Sequence, residues 1–322
     1  DENIWLASGG GGIGGYWGDI RSNGVDTSNG SRSTGSIPFM HVVDSQMLAF
    51  NQGVTRRGSY AAYMNVSHPE IEEFINMRKT TGGDLNRKCL NLHNAINITK
   101  EFLEAVEKDS EWRLIDPKTN TAVKIVSARN LWFQILQTRM ETGEPYLVNI
   151  DNCNAALPEE QKKLGLEIKQ SNLCSEITLP TNEERTAVCC LSSVNLEYFD
   201  EWSKVDTFIS DLITMLDNVL QNFIDGVEGQ SGYSKAAYSA MRERSVGLGA
   251  MGFHSYLQKN NIAFESMYAS SFNNKAFSYI KDRASATTRK LAEERGEAPD
   301  MKGSGKRNAH LLAIAPNASS SI

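Results

Sequence analysis

The chain has 322 residues, 40% apolar and 22% charged, with 25 Gly and 8 Pro, a balance that excludes a disordered or collagen-like chain and leaves room for one large α/β domain or two ordinary ones. With 33 Lys and Arg against 39 Asp and Glu, the net charge is −6, so no basic surplus draws the chain to nucleic acid. No apolar run reaches the ~20 residues that span a bilayer, and Asp1-Glu2-Asn3-Ile4-Trp5 has neither region of a signal peptide, so neither membrane nor export is expected and a cytoplasmic setting is.

In chain order, the first sixty residues read as loop, with Gly9 to Gly12, Gly14-Gly15 and a Ser/Asn/Gly/Thr-rich run from Ser22 to Ser36. A loop of that length is usually functional, and Ile37 to Val43 interrupts it with residues that can pack. Leu131, Trp132, Ile135, Leu136 and Met140 fall at helical spacing, as do Phe208, Leu212, Met215, Leu216, Val219 and Phe223, so both segments are expected to be core helices. Ser271 to Arg295 predicts a third, with Phe272, Ala276, Tyr279, Ile280, Ala284 and Leu291 on one face and Gly296 beyond the end. Ala187 to Leu191 and His310 to Ala315 are short apolar runs of strand type. Helices mixed with short buried strands argue α/β, and no internal repeat or low-complexity linker cuts the chain in two.

Two stretches fit G-x-G-x-x-G, Gly9 to Gly14 and Gly247 to Gly252, the second with Glu265 downstream. A dinucleotide fingerprint needs an apolar strand directly before it. The second is preceded by Met241-Arg242-Glu243-Arg244-Ser245-Val246, and the first is too dense in glycine to define a turn and helix start. Close strand–helix packing is the better account of Gly247 to Gly252, and a nicotinamide-dependent dehydrogenase is the weakest of the readings.

Cysteines at 89, 153, 174, 189 and 190 are odd in number, which fits a reduced compartment better than a disulfide scaffold. No C-x-x-C pair occurs and His41, His68, His93, His254 and His310 lack ligand spacing, so no metal site is expected. Cys89 and Cys153 read as small buried hydrophobes. Cys174 differs, because Asn172 and Glu176 flank it two residues either way. In extended geometry the three would share one face, bringing a thiol, a proton acceptor and an amide together for a hydroxylated substrate.

Ser171-Asn172-Leu173-Cys174-x-Glu176-Ile177 resembles the finger-loop motif of the large catalytic subunit of class I ribonucleotide reductase. Other stretches fall in that family's order. Gly11 to Gly14 with Ile20-Arg21 resembles its glycine segment and first specificity loop, Asn51 to Gly58 its second loop, Val188 to Leu196 its strand with a redox cysteine, and Ala315 to Ile322 its phosphate loop.

The resemblance implies a ten-stranded α/β barrel, incomplete here, with residues 1–322 as one catalytic barrel portion. Cys174 would become a thiyl radical that takes the ribose 3′ hydrogen, Glu176 would accept the 3′-hydroxyl proton, Asn172 would hold sugar hydroxyls, and Cys189 would be half of a redox dithiol. Ser171, Gly12, Gly14, Pro316, Asn317, Ala318, Ser319, Ser320 and Ser321 would bind substrate, the last group as a nest-type phosphate site without excess positive charge. Arg21, Gln52, Arg56 and Arg57 would carry the allosteric loops that relay which dNTP is bound. No cofactor would be bound directly. A small metal-containing subunit would generate the radical, dNTP and ATP would act as effectors, and a thioredoxin or glutaredoxin type protein would be the reductant.

The implied protein reduces ribonucleotides, as diphosphates, and is a homodimer in the cytoplasm, that of the host if viral. The family's ATP cone, its other redox cysteine, its radical-relay tyrosines and its C-terminal Cys tail have no counterpart in the sequence. The chain therefore reads as the middle of such a subunit. A competing reading is a nucleotide-binding fragment, inactive until assembled with the remaining segments.

Overall fold

Short runs of small and β-branched residues alternate with amphipathic stretches, and in the computed structural model, which describes residues 2–50 and 57–321, they form parallel strands joined by helices. The chain folds as two compact units, residues 1–156 with 168–179 and residues 157–167 with 180–322.

The first unit runs α1 (Glu2–Ser8), β1 (Gly12–Tyr16), α2 (Ile37–Ala49), β2 (Ser59–Asn65), α3 (Ile71–Asn76), β3 (His93–Ile98), α4 (Lys100–Glu107), β4 (Glu111–Asp116), β5 (Thr121–Ser127), α5 (Ala128–Thr142), β6 (Tyr146–Asn149) and α6 (Ile150–Ala155). Strands β1, β2, β3 and β6 pair in parallel in that order, and β4 and β5 form a separate antiparallel pair. Side chains alternate between the faces of a strand, and each face of the parallel sheet has its own packing. Ile13, Tyr60, Ala62, Met64 and Ile96 enter the main core with Met40 and Met47 of α2, Phe74 of α3, Phe102 of α4 and Ile135 of α5. Ala61, Tyr63, Ala95 and Val148 form a smaller cluster on the opposite face. We call that face the inner one.

The reading of residues 1–60 as loop is corrected here. β1 is a sheet strand in spite of its glycines, because the ladder to β2 supplies the hydrogen bonds, and Ile37–Ala49 is a helix that buries Ile37, Met40, Val43, Asp44 and Met47. Residues 22–36 do stay irregular apart from one bridge between Asp26 and Arg32.

The second unit runs α7 (Glu159–Lys163), β7 (Leu191–Asn195), α8 (Phe199–Trp202), α9 (Phe208–Gly226), α10 (Ser234–Glu243), β8 (Gly247–Met251), α11 (Phe253–Lys259) and α12 (Met267–Arg295). β7 pairs with β8 in parallel, so the α/β class holds in both units. The expected helix at 271–295 is α12, capped by the Ser266 side chain and ended at Gly296 with φ 84°. The helix at 208–223 is α9, but its buried line is Ile209, Ile213, Leu216, Asp217 and Leu220, with Met215 and Val219 exposed. In α5, likewise, Leu131 and Ile135 are buried while Met140 is exposed.

Gly247–Met251 is itself a strand and not a turn before a helix, which removes the dinucleotide reading. Its glycines serve strand approach rather than strand–helix packing: a Cβ on Gly247 would come within 2.5 Å of Leu191 Cδ2 and 2.9 Å of Ala313 Cβ. His310 to Ala313 runs beside β8 through Val246 N–H to His310 O (3.0 Å) and Leu248 N–H to Leu311 O (2.8 Å), with a single parallel bridge at Leu312. Among the described residues no helix is long and apolar enough to cross a membrane.

Buried charge holds the entry to β8. Asp217 on α9 accepts from Arg244 Nε (2.9 Å), Arg295 Nη1 (3.0 Å) and Asn308 Nδ2 (3.2 Å). Burial opposes its charge, but the guanidiniums outweigh that and hold its carboxyl below the usual range. Glu243, at the end of α10, accepts from Ser239 Oγ (2.9 Å), Ser245 Oγ (3.0 Å) and Gln161 Nε2 (3.4 Å). These neutral donors do not offset burial, which pushes Glu243 up to about 7.

The folded state therefore keeps the Glu243 proton over a range in which the unfolded chain, with a carboxyl near 4.5, has lost it. Stability should fall as pH rises from about 4.5 to about 7 and level off above. Glu243→Gln, which carries the neutral form at every pH, should flatten that part of the curve in denaturant unfolding, whereas curves that stay parallel would show Glu243 ionised in the fold.

Candidate functional site

The inner face of the first sheet is bare near its strand starts. Across the register Gly14 lies beside Ala61 and Ala61 beside His93, and Gly12 faces the same way two residues earlier. The returning segment 168–179 lies over this bare area. A Cβ on Gly14 would overlap the Ser171 carbonyl oxygen and lie 3.1 Å from Asn172 Cα, and one on Gly12 would come within 2.7 Å of Leu173 Cδ2. The glycines are required because backbone passes over backbone there.

Polar side chains of the same face fasten the segment. Asn65 Nδ2 donates to the Tyr16 hydroxyl (2.7 Å), and Asn97 Nδ2 donates to Asn65 Oδ1 (3.0 Å) and to Lys169 O (2.8 Å). Gln170 Nε2 donates to Gly14 O (2.5 Å). Leu173 then packs against the cluster of Ala61, Tyr63, Ala95 and Val148, as Tyr16 and Tyr146 do.

Beyond Leu173 the chain turns. Ser175 N–H donates to Asn172 O (3.3 Å) and Ser175 has φ 66°, so Asn172 to Ser175 is a tight turn and the extended geometry expected for 172–176 is corrected. Asn172, Cys174 and Glu176 are brought together by reversal of the chain and not by strand alternation. The Asn172 side chain braces it, its Oδ1 accepting from the N–H groups of Glu176 and Ile177, both at 3.2 Å. Ser171 is buried and its Oγ donates to Ile177 O across the base. Cys174 sits exposed at the tip. Glu176 follows, half-buried, and its Oε2 is buried without a hydrogen-bond partner among the described residues.

Two inner-face tyrosines lie under the turn. The buried Tyr63 hydroxyl donates to Asn172 O (2.5 Å). Burial pushes that phenol well up, against the nearby Ser175 and Ser171 hydroxyls. Tyr146 is raised by burial and then by the charges of Glu144 and Cys174. Its ring stacks on His93, whose Nδ1 meets Glu144 Oε1 at 2.5 Å, while Arg78 Nε meets Glu144 Oε2 at 3.0 Å. Neither tyrosine was singled out from sequence. The signal available was the alternation in Ser59-Tyr60-Ala61-Ala62-Tyr63, which places Tyr63 opposite the main core.

In the second unit Cys189 and Cys190 behave oppositely. Cys190 is buried, its Sγ 3.4 Å from Leu216 O, and burial followed by the Asp217 charge pushes its thiol up. Cys189 is exposed. The regular strand starts only at Leu191, but Gly247 N–H donates to Cys190 O (2.9 Å) and carries the ladder one residue further back. Pro316 to Ser321 is an exposed loop apart from half-buried Asn317. Asn317 and Ala318 have φ 55° and 37°, Ala318–Ser321 form one 3-10 turn, and Asn317 Nδ2 donates to Ala250 O (3.2 Å).

Of the allosteric candidates, Arg21 is half-buried and Arg57 exposed, while Gln52 and Arg56 lie outside the described residues, as do Asn51 to Thr55 and Ile322. The segment around Arg21 is pinned from both sides. Ser22 N–H and Oγ each donate to Asp116 Oδ2 (2.7 Å), and His68 Nε2 lies 2.8 Å from Ile20 O. Burial opposes the Asp116 charge, yet bonds from Ser22, Thr119 and Lys118 hold it down at about 2. Among the described residues no group of three or more His, Cys, Asp or Glu is placed to hold a metal ion.

A sequence profile of the ribonucleotide reductase barrel domain matches residues 2–304. Frog virus 3 (isolate Goorha) carries a relative 52% identical over 322 residues, covering 100% of this chain and 56% of that protein. The ribonucleoside-diphosphate reductase large subunit of Invertebrate iridescent virus 3 is 44% identical over 345 residues, covering 90% of this chain and 54% of that one. Among solved structures, the Actinobacillus ureae class Id ribonucleotide reductase alpha subunit superposes with a TM-score of 0.86 at 35% identity, over 99% of this chain and 56% of that one. The chain thus spans a little over half the length of these relatives.

The seat of the turn gives a direct test. Gly14→Ala puts a methyl group against backbone and should cost ~1–3 kcal/mol of stability, as overpacking does. Gly12→Ala meets side-chain atoms of Leu173 and no backbone, and should cost less. Equal shifts in thermal unfolding would show that the segment does not rest on Gly14.

Proposed function

Because the chain belongs to the ribonucleotide reductase barrel-domain family, we propose that it is the catalytic part of a ribonucleoside-diphosphate reductase and replaces the ribose 2′-hydroxyl by hydrogen. The observation that carries this reading is the braced turn, with an exposed thiol at its tip and, two residues on, a carboxylate oxygen that is buried and unbonded. A buried acceptor without a partner is costly, and a substrate hydroxyl is the partner it lacks.

In the proposed reaction the Cys174 thiyl takes the 3′ hydrogen, which leaves Cys174 as a thiol and the sugar as a C3′ radical. Glu176 accepts the 3′-hydroxyl proton while the 2′-hydroxyl takes a proton from the dithiol and leaves as water, and at the end Cys174 returns its hydrogen to C3′ and becomes the thiyl again. Asn172 spends its Oδ1 on the turn, so its Nδ2 is the group that meets a sugar hydroxyl. Cys189 gives a reducing equivalent as half of a dithiol, whose closure to a disulfide balances the two electrons that the sugar gains. Cys190, buried and bonded to Leu216 O, has a packing role.

Ser171 is committed to the base of the turn, and Gly12 and Gly14 act through the room they leave. Pro316 to Ser321 is the proposed phosphate loop, an exposed turn with positive φ at Asn317 and Ala318. Arg21, Gln52, Arg56 and Arg57 belong to the proposed effector loops. A separate metal-bearing subunit supplies the radical, dNTP and ATP act as effectors, a thioredoxin or glutaredoxin type protein re-reduces the dithiol, and the assembly is a cytoplasmic homodimer.

The test is ribonucleoside-diphosphate reduction by the full-length subunit with its radical-generating partner. Glu176→Gln keeps the shape of the turn and removes the base, and should lower kcat by ~10²–10⁴-fold. Near-normal turnover at saturating substrate would assign the proton to another group.

A further inference from the structure

The geometry points to Tyr63 as a positioning residue for the thiol at the tip of the turn. The inference rests on the proposed reaction and extends it to a residue on β2 that is far from the turn in sequence.

Asn172 is the hub of the turn, and each of its two acceptors has a separate task. The side-chain oxygen holds the departing arm through Glu176 and Ile177, and the main-chain oxygen closes the turn through Ser175 N–H. That same main-chain oxygen accepts the Tyr63 hydroxyl (2.5 Å). The phenol therefore ties the plane of the peptide leading into Leu173 and Cys174 to a strand of the sheet. Tyr63 itself is fully buried in the middle of the inner face, with Tyr16 beside it on β1 and Ala95 on β3. Its ring cannot follow the loop. The Ser171 and Ser175 hydroxyls and the Glu176 charge also act on it, so one rigid donor stands close to both arms of the turn. Leu173 restrains the turn by non-directional packing, whereas the Tyr63 hydroxyl fixes the rotation of the peptide and hence the direction of the thiol.

Tyr60 provides the control. It lies on the same strand, is equally buried, and its hydroxyl accepts from Trp17 Nε1 (3.1 Å) on the opposite face. Tyr63→Phe and Tyr60→Phe each delete one buried hydroxyl and should lower Tm to a similar extent. In the full-length enzyme Tyr63→Phe should lower kcat at least tenfold with KM within twofold, while Tyr60→Phe keeps both. In the chain described here, without turnover, Tyr63→Phe should change the rate of iodoacetamide alkylation at Cys174 several-fold, read by peptide mass spectrometry, and leave the rate at Cys189 unchanged. Unaltered kcat and alkylation in Tyr63→Phe, or equal losses in both variants, would overturn the assignment. If the wild-type enzyme reduces no ribonucleotide, the proposed function fails, and the alkylation comparison still decides whether Tyr63 sets the thiol.

Discussion

The first unit depends on an absence of side chains. Gly12, Gly14 and Ala61 leave one area of the inner sheet face without bulk, and only there can the 170–173 backbone lie against a strand. Everything distinctive about the turn follows from that seat. Gln170 reaches Gly14 O, Leu173 packs against the inner-face cluster, and the Asn172 carbonyl comes within reach of Tyr63. The opposite face of the same strands is packed by five helices of the unit in the ordinary way of a parallel sheet. That packing makes the sheet rigid enough to act as a platform.

The second unit solves a different problem, that of holding a short two-stranded ladder and its neighbour in place. Asp217, Arg244, Arg295 and Asn308 join α9, the end of α10, the end of α12 and the segment that runs back beside β8. Buried ion pairs of this kind are weak evidence for net stability, because desolvation opposes them, but breaking one partner leaves an uncompensated charge. Here they fix how α9 meets β8, and α9 supplies the Leu216 carbonyl that receives the Cys190 thiol. With Cys190 held inward, Cys189 is left on the outside of the chain.

Much of this was legible in the sequence, and the failures have physical causes. The long helices showed by periodicity, and the end of α12 by its glycine, since these are local properties. The faces of α9 and α5 differ from the apolar count, which picks Met215, Val219 and Met140, because the fold buries Asp217 through hydrogen bonds and ion pairs that no such count detects, and buries Thr138 by packing. The glycines of β1 read as loop because a residue without a side chain carries no strand signal, although the ladder and the overlying segment both require it. The motif around Cys174 does place Asn172, Cys174 and Glu176 on one element, but that element is a turn and not an extended segment. The i±2 argument assumed an extended chain, and the turn at Ser175 depends on Asn172 and on Tyr63, a residue more than a hundred positions away. Cys189 and Cys190 were separated by strand alternation, which holds one residue beyond the regular strand because the ladder to Gly247 continues there.

The central claim is that the sheet-seated turn exists to present the Cys174 sulfur for hydrogen transfer. The most direct measurement is deoxyribonucleotide formation by Cys174→Ser in the full-length enzyme with its radical-generating subunit, alongside dNTP binding by the same variant. The serine O–H is too strong to yield the initiating radical at accessible cost, so no product should form while dNTP binding stays intact. Measurable turnover by that variant would contradict the account.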